Sequence, residues 1–222
     1  MVEETPQETP VVSAKVEILN RVRVALIDRK SDRESDYAYI QRQYHVNGKR
    51  HEPALLDLFT ERLQDYGTSV YRCEEATIHL AIGTALAKRG VKNLVTGEHF
   101  SGGWIPAGFD FSKDAGFTYQ QINSFDGVVT PCALAIAETG TIILRHAGEE
   151  PRRAISLIPD YHLCVVFAQQ VVETVPEGVR QMAVMGEVPL TTVSGPSATS
   201  DIEMTRIKGV HGPRTLDVIL VC

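Results

Sequence analysis

The sequence has no pair of closely spaced cysteines, and this absence argues against several classes of redox and metal protein. Its four cysteines, Cys73, Cys132, Cys164 and Cys222, lie far apart in 222 residues, and no CxxC motif occurs. Zinc ribbons, thioredoxin-type sites and ferredoxin-like clusters are built on such pairs. Cys132 and Cys164 lie within apolar runs, so we expect both to be buried thiols that behave as small hydrophobic side chains.

Motifs that bind dinucleotides or catalytic metals are also absent. No GxGxxG follows a candidate strand, no Walker lysine occurs in a glycine-rich loop, and the seven histidines show no HExxH or paired metal-ligand spacing. The sequence therefore predicts neither a bound redox cofactor nor a structural metal. Any redox role is expected to depend on a partner protein.

Long apolar runs and basic stripes are missing as well. No stretch approaches the roughly 18 to 20 apolar residues that span a bilayer, and the acidic N-terminus resembles neither a signal nor a transit peptide. The formal net charge is −6, and the arginines between residues 21 and 33 are interrupted by acidic residues. We therefore expect a cytoplasmic protein that binds neither nucleic acid nor membrane.

The sequence does contain alternating helix and strand patterns of a length that suits one domain. Residues 1–12 are expected to form a disordered tail and 13–222 a single α/β domain, with N-terminal helices and a linker in 13–66 and the core in 68–222. Several continuously apolar strands predict a mostly parallel sheet that is covered on both faces. Helices are predicted to begin near Ser13, Pro53, Ala76 and Thr174, and strands to occupy 68–73, 91–95, parts of 126–144, 162–167 and 216–221.

The first candidate for chemistry is Glu138, which stands with Thr139 and Gly140 between two apolar runs. A carboxylate at the end of a strand occupies a common location for functional sites in α/β sheets. We consider Glu138 a candidate catalytic residue and Thr139 and Gly140 candidate ligand contacts. A solvated turn residue explains the pattern equally well.

The second candidate is a loop rich in hydroxyls that runs from Ser194 to Glu203. Small polar residues before a helix N-terminus leave backbone N–H groups free to hold an anion. The alternative is that Asp201 caps that helix without any ligand. The candidate anion-binding residues are Ser194, Gly195, Ser197, Thr199, Ser200 and Asp201.

The third candidate is the turn Lys208-Gly-Val-His-Gly-Pro-Arg214. Two glycines around His211 let the backbone approach a ligand closely, and Arg214 has the geometry to bind a carboxylate or a phosphate through two hydrogen bonds. His211, Gly212 and Arg214 are therefore candidate ligand contacts. A structural histidine that is hydrogen-bonded to a backbone carbonyl is the alternative for His211.

These three stretches, in this order, resemble the lactate utilization protein C family, also called the LUD domain family. The resemblance is carried by AIAETGTIIL at Ala135–Leu144, SGPSATSDIE at Ser194–Glu203 and GVHGPRTLDVILV at Gly209–Val221. It implies a three-layer α/β/α domain related to the sugar-phosphate isomerase and coenzyme A transferase fold. One departure is Ala198, where family members often have a basic residue.

The resemblance further implies a non-redox role in the oxidation of L-lactate to pyruvate, together with partner proteins that carry iron–sulfur clusters. The expected ligand is a small carboxylate or a phosphorylated molecule. A stand-alone transferase stays open as an alternative, in which Glu138 attacks an acyl-coenzyme A to form a mixed anhydride. A ligand-sensing domain without turnover and a homo-oligomeric state stay open too.

Overall fold

The computed structural model describes residues 14–27, 37–41, 44–147, 151–199, 207–208 and 212–222. The chain divides into two compact units, 1–44 and 45–222. The first contains helix α1 (Ala14–Ile27), as predicted, and its apolar side chains Val16 and Val22 are exposed. The predicted tail 1–12 lies outside the described residues. None of the described helices has the length and apolar character needed to cross a membrane.

The second unit holds the α/β core. Because it begins at residue 45, it includes a helix that the sequence analysis grouped with the N-terminal segment. Its helices are α2 (Glu52–Asp65), α3 (Ile78–Arg89), α4 (Tyr119–Asn123) and α5 (Val175–Ala183). Its strands are β1 (Ser69–Cys73), β2 (Asn93–Thr96), β3 (Asp110–Lys113), β4 (Gly127–Pro131), β5 (Leu134–Ile136), β6 (Thr141–Arg145), β7 (Tyr161–Phe167), β8 (Val171–Val172), β9 (Leu190–Val193), β10 (Ala198–Thr199), β11 (Ile207–Lys208) and β12 (Thr215–Val221).

Six strands form one sheet in the order β1-β12-β7-β4-β2-β3, and every neighbouring pair is parallel. At its centre, the seven residues of β7 pair with the seven residues of β12. The residues of β7 from Tyr161 to Val166 are all buried, as expected for a parallel strand that is covered on both faces. The prediction of a mostly parallel, doubly covered sheet is confirmed.

The two faces of this sheet pack against different layers. On one face, Ile82 and Leu86 of α3 pack against Val165 of β7. On the other face, Phe59 of α2 belongs to the same buried cluster as Val218 of β12. This arrangement agrees with the three-layer architecture that the resemblance implied.

A second, four-stranded sheet shares the layer that contains α2. Its order is β8-β5-β6-β9. Along β6, Ile142 faces the cluster with α2, and Ile143 faces the cluster next to α5, because side chains alternate along a strand. The turn between β5 and β6 contains Gly140 at φ +57°, where a Cβ would lie 3.0 Å from the Arg62 backbone. The sequence analysis did not predict β8, β9 or this sheet.

Residues at the N-terminus of α5 form hydrogen bonds with the chain segment that precedes α2. Thr174 and Glu177 form the predicted capping box. Glu177 also accepts a hydrogen bond from the backbone N–H of Gly48 at 2.9 Å, and Glu173 accepts one from Lys49 at 2.7 Å. Two carboxylates at one helix N-terminus thus hold a chain segment that is more than 120 residues away in sequence.

A buried ion pair joins α3 to the centre of the parallel sheet. Asp217 of β12 is fully buried, and its carboxylate accepts hydrogen bonds from Nη2 of Arg89 at 2.6 Å and from Nε at 2.9 Å. The hydroxyl of Tyr161 donates to the same carboxylate at 3.1 Å. A carboxylate can lie inside this apolar sheet because three donors surround it. Cys132 and Cys164 are buried, as predicted.

Candidate functional site

A cleft of about 330 Å³ lies near the amino ends of β7 and β12. Its volume falls at the lower end of the range for small-molecule pockets. The cleft is lined by the segment around 153–157, by the second residue of β7, by strand β9 with the loop that follows it, by the turn at 212–213 and by the second residue of β12. Residues that are distant in sequence therefore share one concave surface.

Arg153 is the one charged side chain among the described residues that line this cleft. Its Nη1 donates a hydrogen bond of 2.6 Å to the hydroxyl of Thr191. A guanidinium has five N–H donors, and no carboxylate within the described part of the chain pairs with Arg153. The neighbouring Arg152 is instead paired with Asp114. Arg153 thus keeps donors for an anionic ligand in a cleft whose described lining contains no carboxylate.

Thr191 connects Arg153 to a histidine behind it. Nε2 of His146 lies 2.6 Å from the Thr191 hydroxyl oxygen, and Nδ1 lies 2.7 Å from the carbonyl oxygen of Pro151. A carbonyl only accepts, so Nδ1 of His146 carries a hydrogen. In the tautomer with its single hydrogen on Nδ1, Nε2 accepts the hydroxyl hydrogen of Thr191. The threonine oxygen is then available to Arg153. This chain of hydrogen bonds fixes the orientation of the guanidinium.

The structure brings two of the predicted stretches together. The hydroxyls of Thr139, Thr141 and Ser194 form a chain with two oxygen–oxygen distances of 2.7 Å. Gly195 follows at φ +82°, and a Cβ at this position would lie 2.5 Å from Cβ of Tyr66. Ser194 and Gly195 line the cleft, whereas Thr139 and Gly140 lie outside its lining. Part of the predicted hydroxyl-rich loop therefore forms one wall of the cleft.

Glu138 lies in the same turn as Thr139 but does not line the cleft. Its side chain is exposed, and its backbone N–H donates to the carbonyl oxygen of Glu173 at 3.0 Å. No observation in the described part of the chain favours the acyl-transfer alternative. A catalytic role for Glu138 stays a prediction from sequence.

The third predicted stretch adjoins the hydroxyl-rich loop. The backbone N–H of Ser197 donates to the carbonyl oxygen of Pro213 at 2.8 Å, and both Ser197 and Gly212 line the cleft. Arg214 does not line it. Its exposed side chain instead faces Asp160, with 3.5 Å between Nε and Oδ1.

Most of the remaining predicted contact residues lie outside the part of the chain that the structure describes. The backbone of Thr199 pairs with Ile207 in the short β10–β11 ladder. Ser200, Asp201 and His211, with the helix expected near Asp201, lie outside the described residues. Their roles in ligand binding stay predictions.

Sequence reasoning missed His162, which lines the cleft from the parallel sheet. The residue is only 1% exposed, and its Nε2 lies 2.8 Å from the hydroxyl oxygen of Thr130 on β4. Burial lowers the pKa of His162 to about 4, so the ring is uncharged at neutral pH. The signal in the sequence is a single histidine at the start of an otherwise apolar strand. Arg153 and Thr191 were missed as well.

Within the described residues, no three His, Cys, Asp or Glu side chains gather in a way that suits a metal ion. The expectations that the protein has no structural metal and no redox cofactor stay predictions. The chemistry that the cleft offers is hydrogen bonding to a small anion.

Comparison with known proteins connects this geometry to a family. The LUD domain family model matches residues 99–221, more than half of the chain, including Arg153, His162 and the loop after β9. The chain belongs to the LUD domain family. Lactate utilization protein C of Deinococcus radiodurans is 42% identical over 181 residues, which cover 80% of this chain and 84% of that protein. Lactate utilization protein C of Halalkalibacterium halodurans is 25% identical over 200 residues, with 80% and 83% covered.

A solved structure supports the LUD fold assignment. The crystal structure of a DUF162 family protein from Deinococcus radiodurans is 38% identical and superposes with a TM-score of 0.69. The match covers 78% of this chain and all of that chain. The family resemblance read from the three sequence stretches is therefore confirmed.

Proposed function

We propose that this LUD protein is a non-redox component of an L-lactate oxidation system and binds a small carboxylate in the cleft. Relatives named lactate utilization protein C support the connection to lactate. The observation that carries the binding role is Arg153, which keeps free donors in a cleft without an acidic lining residue in the described chain. Carboxylates and phosphates are the anions that a guanidinium binds best.

Oxidation of L-lactate to pyruvate removes two electrons and two protons, so the system needs an electron acceptor. The sequence has neither a CxxC pair nor a dinucleotide-binding loop. We therefore place the electrons on iron–sulfur partner proteins, as the family resemblance implies. This chain contributes the cleft for the organic acid and a surface for those partners.

Isothermal titration calorimetry on the purified protein tests the binding role. The titrants are L-lactate, pyruvate, acetate and inorganic phosphate, because a free arginine alone does not distinguish a carboxylate from a phosphate. We expect saturable 1:1 binding of L-lactate or pyruvate. Binding of phosphate alone would leave an anion site but contradict the lactate assignment.

Affinity purification from the lactate-grown source tests the partnership. We expect proteins that contain cysteine-ligated clusters to co-purify with this chain, and we expect iron to be detected in the complex. A deletion strain should grow poorly on L-lactate and normally on glucose. A solitary protein together with normal growth of the deletion strain on L-lactate would contradict the proposal.

A further inference from the structure

The two ring nitrogens of His162 have different surroundings. Nε2 lies 2.8 Å from the hydroxyl oxygen of Thr130, which in turn lies 3.6 Å from the sulfur of Cys164. Nδ1 has no hydrogen-bond partner among the described residues. Because the ring lines the cleft and Nε2 faces Thr130, Nδ1 is the ring nitrogen that is left for a ligand.

A neutral imidazole offers one hydrogen and one lone pair, and its partner at one nitrogen decides what the other presents. The Thr130 hydroxyl is able either to donate to Nε2 or to accept from it. In the first case Nδ1 presents an N–H, and in the second case it presents a lone pair. Nδ1 can therefore hydrogen-bond to a carbonyl oxygen or accept a hydrogen bond from a hydroxyl.

We propose that His162 is the specificity-determining residue of the cleft and that its Nδ1 contacts the 2-oxygen of a 2-hydroxy or 2-oxo acid. This inference rests on the proposed function, in which Arg153 binds the carboxylate of the same ligand. A carboxylate with an oxygen on the adjacent carbon requires a cation and a nearby neutral hydrogen-bonding group. Arg153 and His162 supply these two groups on one concave surface.

Because the Thr130 hydroxyl can donate to Nε2 or accept from it, Nδ1 can act either as a donor or as an acceptor toward the ligand. When the 2-oxygen is a carbonyl, as in pyruvate, Nδ1 must carry the hydrogen, and Thr130 donates to Nε2. When it is a hydroxyl, as in L-lactate, either tautomer forms a hydrogen bond. The cleft therefore accommodates both redox states of the acid without a change in charge.

Calorimetry with three acids of similar size separates this inference from the proposed function. Propionate has the carboxylate of L-lactate and pyruvate but lacks the 2-oxygen. We expect the protein to bind propionate about tenfold more weakly than the other two, the effect of one lost hydrogen bond. H162L should bind all three with the affinity for propionate, and H162N, which keeps an amide near the position of Nδ1, should recover part of the preference.

The outcomes distinguish the proposed carboxylate binding in the cleft from the proposed role of His162. If the wild-type protein binds none of the three acids, the proposed function fails. If it binds all three equally, the role of His162 is wrong while the carboxylate site stands. The role of His162 is also wrong if a folded H162L variant still binds L-lactate and pyruvate more tightly than propionate.

Nitrogen NMR on the wild-type protein keeps the test decisive where a variant does not fold. We expect Nδ1 of His162 to give the resonance of a protonated nitrogen at saturating pyruvate, whichever tautomer the free protein holds, and we expect saturating propionate to leave the resonance of the free protein unchanged. An unprotonated Nδ1 in the pyruvate complex would overturn the inference.

Discussion

Nη1 of Arg153 donates a hydrogen bond of 2.6 Å to the hydroxyl of Thr191 on β9. The same hydroxyl lies 2.6 Å from Nε2 of His146, so the threonine is held from both sides. A guanidinium anchored at one nitrogen loses less rotamer freedom when a ligand binds to its other nitrogens. Arg152, the preceding residue, is paired with Asp114 and does not line the cleft. Two adjacent arginines thus allow a matched comparison.

The R153Q variant should bind the carboxylate ligand about ten- to a hundredfold more weakly than the wild-type protein. This is the usual effect of losing a hydrogen bond to a charged group. R152Q removes the same charge one residue away and should keep its affinity within about twofold. Calorimetry with L-lactate measures both values. Equal losses in the two variants would show that net charge, and not the geometry of the cleft, determines binding.

Gly195 and Gly186 allow a second matched comparison, because they have φ values of +82° and +85°. A Cβ at Gly195 would lie 2.5 Å from Cβ of Tyr66, whereas nothing lies within 4 Å of one at Gly186. G186A should cost about 1 to 2 kcal/mol from backbone strain alone. G195A adds a steric clash and should lower the free energy of unfolding further, by about 1 to 3 kcal/mol. Urea denaturation measures both, and equal losses would contradict the close contact with Tyr66.

The elements that sequence predicted best are those in which one local requirement dominates. The strand at 162–167 is recognisable because burial on both faces requires a continuous apolar run. Helix α5 is recognisable from the capping box of Thr174 and Glu177. Strand β9 was missed because its threonines alternate between a buried and an exposed side of a small sheet, over too few residues to show a period.

The cleft was predicted only in part, for a related reason. Ser194, Ser197 and Gly212 were visible as clusters of small residues that folding alone does not need. Arg153 and His162 come from separate segments, and only the fold of the sheet brings them to one surface. A single sequence does not indicate which distant segments the fold brings close together.

The buried carboxylate of Asp217 should be a strong determinant of stability. D217A leaves the Arg89 guanidinium and the Tyr161 hydroxyl without their partner, and we expect a loss of about 3 to 5 kcal/mol. Y161F removes only one hydrogen bond and should cost about 1 kcal/mol. R214Q breaks the exposed pair with Asp160 and should change stability by less than about 0.5 kcal/mol. Urea denaturation should reproduce this ranking, and a D217A effect no larger than that of R214Q would contradict it.

His162 should make the stability of the protein depend on pH above the range in which carboxyl groups titrate. Burial lowers its pKa from about 6.5 to about 4 in the folded state. As pH falls below about 6.5, His162 becomes protonated in the unfolded chain but stays uncharged in the folded protein. The free energy of unfolding therefore decreases by up to about 1.4 kcal/mol per pH unit. Above about pH 6.5 the contribution of His162 to the free energy of unfolding is constant. Below about pH 4 the imidazole is protonated in both states, and the contribution no longer changes with pH.

A variant without the buried imidazole isolates this effect. In H162L the free energy of unfolding should fall less steeply between pH 6.5 and 5 than in the wild-type protein, by the contribution of one proton. Urea denaturation at half-unit pH steps measures the slopes. A wild-type slope retained in H162L would mean that the ring already accepts a proton in the folded protein near pH 6, and it would place a charged donor, not a neutral one, at the cleft.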